Sequence, residues 1–172
     1  MKAWGFIPAR GGSKSIPLKN ILTLGGRPML DYGIKAGLAS GRLERLICSS
    51  DDERILGPAR DLGIDVDVRS HELSGDDVPV AEVVREFLER QSDRPDIIVL
   101  IQPTSPFLLP EHVGLLLDAF ERDPEVNSAH TATLCTHNAH AWNQRTLEED
   151  GRIGFMFAAE RKQAYNKQRK PK

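Results

Sequence analysis

Short apolar runs alternate with amphipathic stretches along most of this chain. Residues 3–7, 45–49, 65–69, 97–101 and 128–133 have the length and composition of strands. The run Ile97-Ile98-Val99-Leu100-Ile101 is continuously apolar, the pattern of a central parallel strand buried on both faces. Between these runs the apolar period lengthens to that of a helix. Leu30, Gly33, Ile34, Gly37 and Leu38 share one face, as do Val80, Val83, Val84, Phe87 and Leu88. Val113, Leu116, Leu117 and Phe120 repeat the spacing. Boundary signals agree: Ser50-Asp51-Asp52-Glu53 has capping-box spacing, Pro110-Glu111 opens a helix and Asp123-Pro124 closes one. The alternation predicts an α/β fold, an open, mostly parallel sheet with helices on both faces.

The rhythm fades after about Thr133. The expected organisation is therefore a main domain over residues 1–134 and a projecting, partial dimerisation or acceptor segment over 135–172. The latter ends in the basic run Lys167-Gln168-Arg169-Lys170-Pro171-Lys172, for which a disordered tail is the plainer alternative.

The first strand leads into the most chemically loaded stretch, Ala9-Arg10-Gly11-Gly12-Ser13-Lys14, followed by Lys19-Asn20. Two glycines allow close backbone approach to a ligand. Successive amides there can form an anion-binding nest, to which Arg10, Lys14 and Lys19 add full charge. A polyphosphate needs that combination. The Walker loop is excluded because Ser13 separates Gly12 from Lys14, and G-x-G-x-x-G is absent. Ser49-Ser50-Asp51 and Gln102-Pro103-Thr104-Ser105 also follow strands, so all three loops are expected at one crevice.

Composition narrows the classes. The 172 residues carry a net charge of −2, which lacks the basic surplus of a non-specific nucleic-acid binder. No apolar run reaches membrane-spanning length. Two cysteines, Cys48 and Cys135, are too few for a disulfide framework and point to a reduced, cytoplasmic setting. His130, Cys135, His137 and His140 include zinc-ligand types, but without a second cysteine pair a structural role is favoured.

In order along the chain, Ile7-Pro8-Ala9-Arg10-Gly11-Gly12-Ser13-Lys14, Lys19-Asn20, Arg27-Pro28-Met29-Leu30, Ser49-Ser50-Asp51, Arg69 through Asp76-Asp77, and Leu100-Ile101-Gln102-Pro103-Thr104-Ser105-Pro106 resemble the acylneuraminate cytidylyltransferase (CMP-sialic acid synthetase) family. The resemblance implies a nucleotide-diphospho-sugar transferase-like sheet, usually in a homodimer. It implies transfer of CMP from CTP to an acidic, sialic-type sugar with release of pyrophosphate, aided by Mg²⁺ or another divalent cation. On that reading Arg10, Lys14 and Lys19 are catalytic. The nucleotide is held by Ala9, Arg10, Gly11, Gly12, Ser13, Lys14, Lys19, Asn20, Arg69 and Asp76. The acceptor meets Asn20, Gln102, Thr104, Ser105, Lys167, Gln168 and Arg169.

Some of these residues have plainer readings: a surface ion pair with Asp67 or Glu72 for Arg69, helix capping for Asp76 and Asp77, and turn formation for Ser105. The chain departs from the family at Ser70, Val78, Val80 and Leu108, and is expected to lack the late acceptor segment and metal-binding aspartate pair. The metal ligands stay unassigned. Phe155, Met156 and Phe157 form an apolar cluster suited to a subunit contact, with Arg161, Lys167 and Arg169 facing the partner's ligands. Two other functions remain open: a sugar-phosphate nucleotidyltransferase using another nucleotide, and a non-catalytic nucleotide-binding protein.

Overall fold

The structure, a computed structural model, describes residues 1–13, 16–134 and 139–163. Its internal contacts divide the chain into two units, Met1–Ala129 and His130–Lys172. In the first unit, strand β1 (Ala3–Pro8) leads through the cationic loop to a small hairpin, β2 (Thr23–Leu24) and β3 (Arg27–Pro28). Helix α1 (Met29–Ala39) follows, then β4 (Arg45–Ser50), α2 (Glu53–Asp61) and β5 (Asp65–Val68). Helix α3 (Val80–Glu89), β6 (Ile97–Leu100) and α4 (Pro110–Arg122) complete it.

The four long strands form one parallel sheet in the order β5-β4-β1-β6. Alternation along β1 directs side chains to two cores. Trp4 and Phe6 pack with Ile47, Val83 and Phe87 beneath α3. Phe87 stands 5.3 Å from Phe6 and 6.4 Å from Trp4, in tilted and edge-on contacts. Ala3 and Ile7 face the opposite layer, where α1, α2 and α4 contribute Leu30, Ile34, Ile55, Ala59, Val113 and Leu117. Each such fully buried large side chain contributes about 1.5–3 kcal/mol from its apolar area. Helix α1 sits close to the sheet because of Gly37, where a β-carbon would lie 2.9 Å from Leu46 Cδ2. The expected open parallel sheet, covered on both faces, is the fold observed.

The local expectations fail in four places. The strand expected to be central and buried on both faces, β6, lies at the sheet edge, with Val99 buried and Leu100 exposed. Residues 128–133 form no strand; five of the six are exposed, and two alanines and two threonines offer no apolar face to bury. Ser50 is not a helix cap but the fully buried last residue of β4, and its Oγ accepts from the Asp52 amide at 3.1 Å. The N-cap of α2 is Asp52, whose Oδ1 accepts from the Arg54 amide at 2.9 Å. On α1, Leu38 is half exposed and Ala36 takes its place in the buried stripe.

Two buried groups between the layers are chemically silent. Asp67 accepts from Ser49 Oγ at 2.7 Å and from Arg90 Nη2 at 2.8 Å, tying β4, β5 and α3 together. Cys48 is fully buried, and desolvation pushes its thiol up to about 12, so it stays protonated at neutral pH.

The second unit begins, in its described part, with a short 3-10 turn at Ala141–Asn143. An antiparallel hairpin of β7 (Arg145–Leu147) and β8 (Ile153–Phe155) follows, and then α5 (Ala158–Gln163). Arg145 stacks over the Phe155 ring at 4.8 Å. Leu147, Ile153 and Met156 are exposed. The hairpin was not foreseen, because its strands have only three residues each. Cys135 and His137, named above as zinc-ligand types, lie outside the described residues, and no metal-binding group of three acidic, histidine or cysteine side chains occurs among those described.

The Arg54 guanidinium, through its hydrogen bonds, holds the Asp52 carboxyl below its ordinary range. A carboxyl depressed in the folded state stabilises above its unfolded value and loses that contribution as pH falls through the folded one. Asp52→Ala should therefore lower stability by about 1 kcal/mol at pH 7. Urea unfolding across pH should show the difference from the parent chain shrinking below about pH 4. A difference unchanged at lower pH would exclude the ionised cap.

Candidate functional site

The strand order places a switch point beside β1. Successive crossovers carry the chain from β1 outward to β4 and β5, and the next returns it to β6 on the other side. A crevice must open at the carboxyl ends of β1 and β6, where the connections diverge. A cavity of about 300 Å³ lies there, reached by Arg10 behind β1 and by Gln102, Pro103 and Thr104 behind β6.

The cationic loop is held by three hydrogen bonds. The Ala9 amide donates to Ser49 O at 2.9 Å, continuing the β1–β4 ladder. The Gly11 amide donates to Asp51 Oδ1 at 2.8 Å. Asn20, buried at 7% exposure, donates from Nδ2 to Arg10 O at 3.0 Å. Asn20 sits on a 3-10 turn, Lys19–Ile21, entered through Leu18 at φ 51°. A bulky side chain in the left-handed region carries a strain of about 1–3 kcal/mol. That strain turns Lys19 and Asn20 back toward the cavity, which both line.

Gly11 is required for a different reason. A β-carbon there would lie 2.6 Å from both Cβ and Oδ2 of Asp52, so the loop rests directly on the start of α2. At Gly12 the same atom would meet open space.

Charge in the cavity is arranged in pairs. Arg10 Nη1 lies 2.7 Å from Asp76 Oδ1, each side chain about one-third exposed. Arg69 is buried at 7% exposure, and its Nη2 donates to Ser49 O at 2.9 Å. Its Nε is buried with no hydrogen-bond partner among the described residues. Burial pulls the Arg69 guanidinium below its ordinary value, against the opposing pull of Asp51 and Asp67. The surface-pair reading of Arg69 is thus overturned. Helix α3 begins after Pro79 with no side-chain cap, so Asp76 and Asp77 do not cap it either.

Of the residues singled out from sequence, Arg10, Gly12, Ser13, Lys19, Asn20, Arg69, Asp76, Gln102 and Thr104 all line this cavity. Ala9 and Gly11 stand behind the lining and shape the loop. Ser105 is outside the lining, its amide closing a turn onto Gln102 O at 3.0 Å. Ser49 and Ser50 are fully buried supports. Lys14, Lys167, Gln168 and Arg169 lie outside the described residues. The sequence reading missed an apolar wall of Leu73, Val78, Val80 and Val83. Val80 and Val83 were readable as the buried face of α3, but nothing local to Leu73 marks it as a lining residue.

The profile of the Cytidylyltransferase family matches residues 4–153. The chain belongs to this family. Among its curated relatives, N-acylneuraminate cytidylyltransferase B of Danio rerio is 33% identical over 144 residues, covering 84% of this chain and 33% of the relative. The A form from the same fish is 43% identical over 107 residues, 62% of this chain and 25% of the relative. Pseudaminic acid cytidylyltransferase of Campylobacter jejuni is 37% identical over 126 residues, 71% of this chain and 53% of the relative. Among solved structures, CMP:2-keto-3-deoxy-manno-octonic acid synthetase complexed with CTP superposes with a TM-score of 0.64 at 25% identity. That match covers 73% of this chain and 50% of the other. The chain spans from a quarter to about half the length of these relatives.

The loop geometry distinguishes its two glycines. Gly11→Ala should destabilise the chain by about 1–3 kcal/mol, because Asp52 or the loop must move. Gly12→Ala should stay within about 0.5 kcal/mol of the parent. Urea denaturation of both variants checks this, and equal losses would reject the docking of the loop on α2.

Proposed function

We propose that the chain carries the nucleotide half of a CTP-dependent cytidylyltransferase acting on an acidic, sialic-type sugar. The observation carrying this reading is the convergence of the Arg10–Asn20 loop and Gln102–Thr104 on one switch-point cavity. The membership of the family and the named activities of its relatives support it.

In the proposed reaction a sugar hydroxyl attacks the α-phosphorus of CTP. An oxygen–phosphorus bond forms as the bond to the departing pyrophosphate breaks, and the hydroxyl proton passes to solvent or base. Such transfers depend on alignment and on charge stabilisation. Arg10, Lys14 and Lys19 hold the phosphates, with Gly12 and Ser13 amides beside them. Arg69 and the apolar wall take the nucleoside, and Gln102 and Thr104 orient the acceptor with Asn20. The family resemblance gives Lys167, Gln168 and Arg169 an acceptor role, and they lie outside the described residues.

The cavity has one lining carboxylate, Asp76, already paired with Arg10. Its donor set among the described residues does not make a resident metal site. In this reading Mg²⁺ arrives with the triphosphate and its waters, and its protein ligands stay unassigned.

We further read residues 1–134 and 135–172 as the nucleotide part and a dimerisation or acceptor part of a homodimer. The exposed Leu147, Ile153 and Met156 support that reading, as apolar clusters are often covered by a partner. The setting is taken to be cytoplasmic, consistent with a buried, reduced Cys48. No helix among the described residues is long and apolar enough to cross a membrane.

Calorimetric titration should detect CTP binding, with Arg10→Ala weakening it by about 1.5–3 kcal/mol. Pyrophosphate release should require CTP, an acidic sugar and a divalent cation, and should stop in excess chelator. Unchanged CTP affinity in Arg10→Ala rejects the site. Release with another nucleotide in preference to CTP favours the alternative nucleotidyltransferase. Light scattering at micromolar concentration should give a dimer that Met156→Asp dissociates; a monomeric parent chain rejects the subunit contact.

A further inference from the structure

Arg10 enters the cavity from a firmly held backbone. The amides at 9 and 11 and the carbonyl at 10 are all hydrogen-bonded, to Ser49, Asp51 and Asn20. The loop cannot follow the guanidinium, so any rearrangement there is confined to side-chain torsions. In the structure that side chain turns to the segment between the Glu72–Ser74 turn and α3. It meets Asp76 Oδ1 at 2.7 Å and Ser74 O at 3.5 Å.

A carboxylate oxygen at this distance offers a guanidinium what a phosphate oxygen offers, a charged acceptor in the same geometry. Asp76 does not cap α3. Both side chains are about one-third exposed, and ion pairs at that exposure add little net stability. The contact is thus strong enough to choose a rotamer and weak enough to exchange.

We infer that Asp76 is a positioning residue that stands in for phosphate. It holds the Arg10 guanidinium at the cavity and is displaced when a polyphosphate arrives. The assignment differs from a direct nucleotide contact by Asp76, which would place two negative groups against each other. Arg10 exchanges one anion for a more highly charged one, while its backbone stays fixed. The affinity of the site is lowered by the competing carboxylate, which also keeps the donor aimed before binding. This inference rests on the reading of the cavity as a polyphosphate site.

Inorganic pyrophosphate is the probe, titrated calorimetrically into the full 172-residue chain and its variants. Asp76→Asn should tighten binding about two- to fivefold, the scale of a partly exposed ion pair released. In an Arg10→Met background the same change should give a clearly smaller gain, because the Arg10 guanidinium is no longer there to be released. Asp76→Ser serves as a second replacement, and unfolding midpoints confirm that each variant is folded.

The inference is overturned if Asp76→Asn leaves binding unchanged or weakens it. It is also overturned if the full gain persists in the Arg10→Met background, which would place the effect elsewhere than on Arg10. Absence of pyrophosphate binding by the parent chain overturns it as well. A chain that binds pyrophosphate with the expected coupling, yet binds no CTP, would reject the proposed nucleotide and leave the role of Asp76 standing.

Discussion

The structure depends on β1 being the central strand of a parallel sheet, hydrogen-bonded on both edges and covered on both faces. Five of its six residues are buried, so it has no tolerance for a shift in register. A slip by one residue would exchange Trp4 and Phe6 with Ala3 and Ile7, placing large rings in a layer built around Gly37. The register also decides where the cationic loop emerges. Because Pro8 is paired with Ser49, Ala9 lands on the Ser49 carbonyl and Gly11 on the Asp51 carboxylate. Core packing and site geometry are therefore set by one constraint.

The loop then acts less as a free nest of amides than as a clamp. The Gly11 amide is already bound to Asp51, and Asn20 is spent on the Arg10 carbonyl. What these bonds provide is position: they remove backbone freedom before a ligand binds, when the ordering entropy would otherwise oppose binding. The strained Leu18 fits the same account. Its left-handed backbone is maintained by surrounding bonds, including the Ile21 amide on Leu18 O at 3.0 Å.

Much of this was legible in the sequence, because the signals were local and strong. The continuous run at Ile97–Leu100 marked a parallel strand, although not the central one expected, and the glycine–cation loop marked the lining of the cavity. The misses arose where tertiary context overrode local pattern. Ser50 has the right neighbours for a cap, yet burial in β4 takes it out of reach and leaves Asp52 in that role. Arg69 has acidic neighbours in sequence that suggest a surface pair, but β5 ends one residue earlier and directs it inward onto Ser49 O. Residues 128–133 have the length of a strand but lack the apolar bulk that would hold one in a sheet. Leu73 could not be found at all, because its place in the wall depends on where the Glu72–Ser74 turn sits against α3.

The cavity combines two kinds of cation with different mechanical character. Arg10 is partly exposed and paired with a side chain, so its guanidinium can change partners at little expense in desolvation. Arg69 is buried, fixed by a backbone carbonyl, and retains a donor at Nε without a partner among the described residues. An unsatisfied buried donor costs about 1–3 kcal/mol, a penalty that a ligand acceptor placed there would remove. A neutral acceptor on the nucleoside suits that position better than phosphate. Phosphate would have to shed its hydration beside the hydrocarbon of Leu73, Val78, Val80 and Val83. The exposed end is suited to multiply charged, still-hydrated groups, and the buried end to a flat, weakly polar one. A nucleotide has that same polarity along its length. The orientation proposed for CTP thus follows from desolvation as well as from charge.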